Sequence, residues 1–191
     1  MPEEGALIVF EGPDEFDAWL HENGATETEL WMKYAKKSSK IKTITYDEAL
    51  DVALCHGWID GLVRSIDETY YSQRWTPRKS RSRWSKRNCA KVEELIAQGK
   101  MLPAGLKEIE RAKADGRWEA AYAGPATIEV PQDLVEALNA NEKAKQAFEA
   151  LNSQNRYAIL LRIHDAKRTE TRQRRIAQFV DMLADGRKLY A

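Results

Sequence analysis

The chain has 191 residues, of which 43% are hydrophobic and 31% are charged, and its 30 basic and 30 acidic residues give a formal net charge of zero. This length suffices for one sizeable domain or two small ones, and the zero net charge excludes a polyanion binder whose whole surface is basic. No window holds the roughly 20 apolar residues of a membrane-spanning helix, and the apolar stretch 6–10 is too short for a signal-peptide core, so we expect neither export nor membrane insertion.

The first hundred residues alternate between strand and helix patterns. Alternating or short continuous apolar runs predict four strands, at residues 7–10, 29–36, 58–66 and 70–76. Apolar residues on one helical face predict three helices, at residues 13–24 and 45–57 and from Ser82 or Ser85 to Gln98. Thr45 and Glu48 have the spacing of a capping box. The sequence therefore predicts an α+β domain over residues 1–100, with helices and a small mixed or antiparallel sheet.

Strand patterns disappear after residue 100. Residues 101–131 hold a short helical pattern and then a segment with two prolines and a glycine, which predicts a helical connector. Residues 132–191 carry several amphipathic patterns, and the cleanest, after Thr169, has apolar residues at i, i+3, i+4 and i+7. A C-terminal helical module is therefore predicted over 132–191. These patterns leave the strand order and the oligomeric state open.

The segment 69–92 contains eight Lys or Arg residues and no Asp or Glu, so the rest of the chain carries a net charge of minus eight. Arginine predominates, and its planar fork of donors fits a phosphate or carboxylate with two hydrogen bonds. Ser82 and Ser85 precede a helix, where free backbone N–H groups favour an anion. The alternative is a solvated or internally ion-paired face, because charge runs usually face solvent and the acidic remainder offers partners. The pattern leaves both interpretations open.

Two long motifs carry a resemblance to a known family. The first is Cys55-His56-Gly57-Trp58-Ile59-Asp60-Gly61, and the second runs from Gln73 to Asn88 with the residues R-W-T-P-R-K-x-x-S-x-W-S-x-x-N. They resemble the WIDG element and the following basic element of the YdeI/OmpD-associated family, which is named for bacteriocin protection. The helical tail resembles the C-terminal module of the same family, so the resemblance covers nearly the whole chain. It implies an α+β region followed by helices, and it attaches no firm reaction to them.

The charge pattern and the motifs together predict a binding site for a small ligand that bears phosphate or carboxylate groups. The arginines are predicted to contact the anion, the serines to donate to it, Trp84 to form a wall, and Asp60 to orient an arginine. The predicted site comprises Asp60, Arg74, Thr76, Arg78, Arg81, Ser82, Trp84, Ser85 and Asn88. The corresponding function is a non-catalytic binding protein with a role in bacteriocin protection or envelope stress.

Two other functions stay open. Single-stranded nucleic acid would use Trp75 and Trp84 as stacking platforms, although the acidic remainder disfavours a long polyanion. An enzyme acting on an anionic substrate would use His56 or Asp60 as its acid or base. His56 and Asp60 are four residues apart, a spacing that would place two metal ligands on one face of a helix. The helix is predicted to end at Gly57, however, and no third ligand has a suitable spacing, so we expect no metal and no cofactor.

The two cysteines complete the set of candidate reactive groups. Cys55 and Cys89 have no CxxC or metal-ligand spacing, which favours free thiols in a reducing compartment and hence a cytoplasmic protein. Cys55 is predicted to be a core residue near the end of a helix. Cys89 lies near a helix start beside Lys86 and Arg87, which would lower the pKa of its thiol. The alternative is that Cys89 is a small buried residue on the helix face.

Overall fold

The computed structural model describes residues 7–190. The chain divides into two compact units, one that ends at Ala121 and one that begins at Tyr122. The first unit contains the sheet and four helices, and the second contains four further helices. The predicted α+β class, with strands in the N-terminal region and helices in the C-terminal region, is therefore confirmed.

The sheet is mixed and has four strands in the order β1-β2-β4-β3. They are β1 (Leu7–Ile8), β2 (Leu30–Ala35), β3 (Trp58–Ser65) and β4 (Tyr70–Pro77). β1 pairs with β2 in parallel, whereas β2 and β3 both run antiparallel to β4. The register is irregular between Asp60 and Val63, as expected for a bulge beside Gly61. The predicted hairpin of residues 58–66 and 70–76 is present.

Four helices pack in the first unit: α1 (Pro13–Asn23), α2 (Tyr46–Cys55), α3 (Lys86–Ala97) and α4 (Pro103–Ala114). The capping box is confirmed, because the Glu48 backbone N–H donates to Thr45 Oγ1 at 3.3 Å and the Thr45 N–H donates to Glu48 Oε2 at 2.8 Å. α3 begins directly after Ser85, whose hydroxyl oxygen accepts from the Asn88 N–H at 3.1 Å. α4 lies in the segment predicted as a connector, and its Ile109 and Ala112 are buried in the N-terminal core.

Aromatic residues dominate this core. Trp58, Trp75 and Trp84 are among its largest buried side chains. Trp75 packs against Phe16 with ring centroids 5.9 Å apart, and its indole N–H donates to the Tyr34 hydroxyl at 3.1 Å. Burial raises the pKa of Tyr34 well above its ordinary value, so this hydroxyl stays protonated and the contact is a neutral hydrogen bond.

The second unit is built from α5 (Gln132–Asn139), α6 (Glu142–Glu149), α7 (Ser153–His164) and α8 (Thr169–Ala184). The apolar face predicted on α8 is confirmed, since its four members are buried: Ile176, Phe179, Val180 and Leu183. No helix among residues 7–190 combines the length and the apolar character that crossing a membrane requires.

Candidate functional site

Asp60 and Arg74 lie on opposite faces of the sheet. Asp60 is opposite Trp75 in the register and so shares its core-facing side, whereas Arg74, the next residue along β4, points to the other side. Arg74 Nε donates to Glu29 Oε2 at 2.7 Å. The structure therefore does not bring these two predicted site residues together.

Asp60 contacts neutral groups instead of an arginine. Its Oδ2 accepts from the Tyr46 hydroxyl at 3.3 Å and from the Gln73 amide at 3.4 Å. Burial and the Asp60 carboxylate raise the pKa of Tyr46 to about 12. Among the contacts of residues 7–190, Asp60 has no arginine partner of the kind that its predicted orienting role requires. Thr76 lies on β4 opposite Ile59 and is half-buried.

The predicted residues from Arg78 to Asn88 do gather in one place, the loop 78–85 and the first turn of α3. Arg78 is 5% exposed, and its guanidinium carbon lies 3.6 Å from the centroid of the Trp84 ring. Its NH1 donates to the Arg83 carbonyl at 3.2 Å, and its backbone N–H donates to the Gly57 carbonyl at 2.9 Å. A cation–π stack and two hydrogen bonds thus fix this arginine.

The serines of the loop have structural roles. Ser82 Oγ accepts from the Lys79 N–H at 2.9 Å, and Ser85 caps α3. Both oxygens act as acceptors for backbone donors, while their hydroxyl hydrogens stay available to donate. Asn88 is buried in the first turn of α3, and Arg81 is exposed.

Two arginines that the sequence analysis missed reach the same loop. Arg117 NH1 donates to the Ser82 carbonyl at 2.7 Å, and Arg111 NH2 approaches the Arg78 carbonyl at 3.5 Å. Trp118 lies against Trp84 with ring centroids 5.0 Å apart. Arg111 and Arg117 lie 23 and 29 residues beyond the end of the motif at Asn88, in the predicted connector, and no spacing links them to it. We call Arg78, Trp84, Arg111 and Arg117 the arginine cluster.

Local carboxylates hold the two added arginines in place. Arg111 pairs with Glu108, and Arg117 pairs with Asp115 at 2.8 Å. The hydrogen bond from Arg117 lowers the pKa of Asp115 below its ordinary value. The Arg117 side chain is only 17% exposed, which makes it a more rigid donor than a surface arginine.

Among residues 7–190, the Trp84 indole N–H is a buried donor without a hydrogen-bond acceptor. The two other buried tryptophans have one, since Trp58 donates to the Gly24 carbonyl at 3.2 Å and Trp75 donates to Tyr34. A buried N–H that lacks a partner costs about 1–3 kcal/mol, and native proteins usually satisfy such groups with protein, water or an ion. Within the described part of the chain, Trp84 is thus the buried tryptophan whose indole N–H is left without a protein acceptor.

Much of the remaining basic segment is ion-paired, as the alternative interpretation expected. Arg87 lies 2.6 Å from Asp47, Lys91 lies 2.8 Å from Asp51, and Arg74 pairs with Glu29. At least three of the eight basic residues are thus held by acids of the same unit. Lys79, Arg81 and Lys86 are exposed.

His56 and Asp60, the two acid or base candidates of the enzyme alternative, make separate contacts. His56 Nε2 lies 2.8 Å from Asp17 Oδ1 rather than contacting Asp60. Burial raises the pKa of both Cys55 and Cys89 to about 11. The lowered pKa considered for Cys89 is therefore wrong, and the core position considered for Cys55 is confirmed by its burial.

Comparison with known families covers both units. Residues 8–108, more than half of the chain, match the family described as Domain of unknown function (DUF8412). The chain belongs to this family. Residues 127–186 match the family described as Bacteriocin-protection, YdeI or OmpD-Associated, which confirms the resemblance to this family for the helical tail. Both sequence motifs and Arg78 and Trp84 lie inside the DUF8412 match. No curated protein and no solved structure matches the chain.

Proposed function

We propose that this DUF8412 protein is a non-catalytic, cytoplasmic binding protein that holds a small phosphate- or carboxylate-bearing anion at the arginine cluster. The match of residues 127–186 suggests a function in bacteriocin protection or at the cell envelope, and we propose that the bound anion serves that function or an envelope stress response. The cytoplasmic location is supported by the free thiols of Cys55 and Cys89.

The Trp84 indole N–H carries this proposal. It is a buried donor that finds no acceptor among residues 7–190, and the guanidinium of Arg78 covers the face of its ring. Arg117 and Arg111 reach the backbone of the same loop. An anion beside Trp84 would accept from the indole and be attracted by the arginines, and hydrogen bonds to a charged acceptor are stronger than those to a neutral one.

The burial of the tryptophans favours a small anion over single-stranded nucleic acid. Trp75 is 0% exposed and Trp84 is 2% exposed. Base stacking requires an accessible aromatic face, and neither ring offers one. The alternative with these tryptophans as stacking platforms therefore lacks its platforms, whereas a compact ligand needs only the donors at the cluster.

The proposal is tested with inorganic phosphate, sulfate and citrate, titrated into the full chain and followed by calorimetry. We expect saturable binding by one or more of these anions. Arg117→Gln should weaken it by about 10- to 100-fold, because a hydrogen bond to a charged group contributes about 1.5–3 kcal/mol. Trp84→Phe, which keeps a ring and removes the N–H, should weaken it less.

The matched control is Arg187→Gln. Arg187 is also paired with a nearby carboxylate, Asp185, at 2.9 Å, but it belongs to the C-terminal unit and is exposed. Wild-type protein that binds none of the three anions at millimolar concentration would refute the proposal. So would equal affinities for the Arg117→Gln and Arg187→Gln variants.

A further inference from the structure

We propose a second site in the N-terminal unit, for a divalent transition-metal ion such as Zn²⁺, formed by Asp17, His21 and His56. Asp17 Oδ1 lies 2.8 Å from His56 Nε2, and Asp17 Oδ2 lies 3.5 Å from His21 Nε2. The centroids of the His21 and His56 imidazole rings lie 4.7 Å apart, and the rings meet edge to face. One ligand atom from each residue lies within 4.8 Å of the others.

The fold builds this group from two helices. Asp17 and His21 are four residues apart on α1, so they lie one above the other on the same helical face. His56 follows the last residue of α2, and Gly57, with a φ of +75° that favours glycine, turns the chain into β3. The His56 side chain is only 8% exposed. The buried His56 imidazole thus faces the more exposed side chains of Asp17 and His21 on α1.

The spacing of these atoms suits tetrahedral zinc. With metal–ligand bonds of about 2.0–2.1 Å, neighbouring ligand atoms in a tetrahedron lie about 3.3 Å apart. Asp17 Oδ1 lies 2.8 Å from His56 Nε2 and Asp17 Oδ2 lies 3.5 Å from His21 Nε2, so small side-chain shifts bring one Asp17 oxygen to this distance from both imidazoles. His21, whose side chain is 59% exposed, has the freedom to adjust to an ion. Two imidazoles and one carboxylate favour zinc and its neighbours over Mg²⁺ or Ca²⁺, which prefer oxygen ligands.

A pocket beside the three residues independently favours a cation. It has a volume of 440 Å³, and Asp17 and His21 form part of its wall. Its lining includes three further carboxylates and one lysine: Asp14, Glu48, Asp51 and Lys100. Carboxylates thus outnumber cationic side chains in the lining, and such an excess of negative charge in a cleft concentrates cations. An ion with three protein ligands keeps a fourth position, which water or a ligand in this pocket would fill.

The test is titration of the metal-free full chain with Zn²⁺ in competition with a chromogenic chelator. We expect one tightly bound ion per chain that millimolar Mg²⁺ and Ca²⁺ do not displace. His21→Ala and Asp17→Asn should each weaken zinc binding by at least about tenfold. His164→Ala is the matched control, because it removes the third histidine of the chain, which lies in the C-terminal unit 3.0 Å from the Glu129 carbonyl.

Three results would overturn the proposal. The first is a wild-type chain without stoichiometric zinc binding, and the second is equal zinc affinity in the His21→Ala and His164→Ala variants. The third is zinc binding that Cys55→Ser abolishes and His21→Ala leaves intact, since the ion would then be held by a thiol. The His21 side chain is exposed, so its removal leaves the core packing intact. Asp17→Asn is a second variant that retains the size of the side chain.

Discussion

Gly105 makes the closest approach between α4 and the end of α2, and the substitution Gly105→Ala tests this packing. A Cβ atom at position 105 would lie 2.4 Å from the Cys55 carbonyl oxygen and 2.6 Å from the Leu54 carbonyl oxygen. Both atoms belong to the backbone directly before His56, so they have no flexible side chain that moves aside. The added methyl group must displace α4 from α2 or shift the helix end that carries His56.

Two effects of opposite sign decide the magnitude. Within a helix, alanine is more favourable than glycine by about 1 kcal/mol. Overpacking of a tight core costs typically about 1–3 kcal/mol, and backbone atoms on the other side place Gly105 at the upper end. We therefore expect Gly105→Ala to lower the free energy of unfolding by about 1–2 kcal/mol. With a urea dependence of about 2 kcal/mol per molar, the midpoint falls by roughly 0.5–1 M.

Urea unfolding followed by tryptophan fluorescence measures this change in the relevant unit. All six tryptophans of the chain lie before Tyr122, so the signal reports the N-terminal unit alone. Gly12→Ala is the control for the added methyl group, because a Cβ there meets nothing within 4 Å; a fall in its midpoint measures only the poorer capping of α1 by alanine. A midpoint for Gly105→Ala at or above that of the wild type would refute the packing argument.

Three further predictions concern polar and titratable groups. Asn155 is fully buried; its side-chain oxygen accepts from the Tyr190 N–H at 2.9 Å and its amide donates to the Tyr190 carbonyl at 3.2 Å. Asn155→Ala should therefore lower the free energy of unfolding of the C-terminal unit by about 2–3 kcal/mol, measured by thermal unfolding followed by circular dichroism. The hydrogen bond from Arg172 lowers the folded-state pKa of Asp133. The ionised Asp133 therefore stabilises the folded chain at pH values above its unfolded pKa of about 3.9, and this stabilisation is lost as the pH falls through the lowered folded-state pKa. Asp133→Asn should abolish that part of the acid dependence of the free energy of unfolding. Burial raises the pKa of Cys55 and Cys89 to about 11. Iodoacetamide should therefore alkylate both thiols at pH 8 at least about 100-fold more slowly in the folded than in the urea-unfolded chain. Equal alkylation rates in the two states, measured by mass spectrometry, would contradict this burial.

Local signals in the sequence predicted the elements of the fold but left their arrangement open. The capping box of Thr45 and Glu48 and the apolar face of α8 depend on residues within two helical turns, and both are confirmed. The insertion of β2 between β1 and β4 depends on pairings such as Leu30 with Trp75. Those contacts join residues 45 positions apart, and no periodicity in a single strand specifies its neighbour.

The same distinction applies to the predicted anion site. Arg78 and Trp84 are six residues apart, and the turn that stacks them is encoded within the motif itself. Asp60 and Arg74 were grouped by motif and charge, but the register that places Asp60 opposite Trp75 puts Arg74 on the other face. Arg117 reaches the site from outside the motif, and only the packing of the segment after α4 shows it.

Charge segregation explains how a chain of zero net charge carries two candidate ion sites of opposite sign. Most charged residues that line the pocket beside Asp17 are carboxylates, whereas guanidinium groups gather around Trp84. Grouping like charges raises the free energy of the folded state through self-repulsion, and an ion of opposite charge that binds only the folded chain offsets this cost by mass action. Each site therefore favours the ion that the other repels, so zinc and phosphate probe the two proposals separately, and either proposal can fail while the other stands.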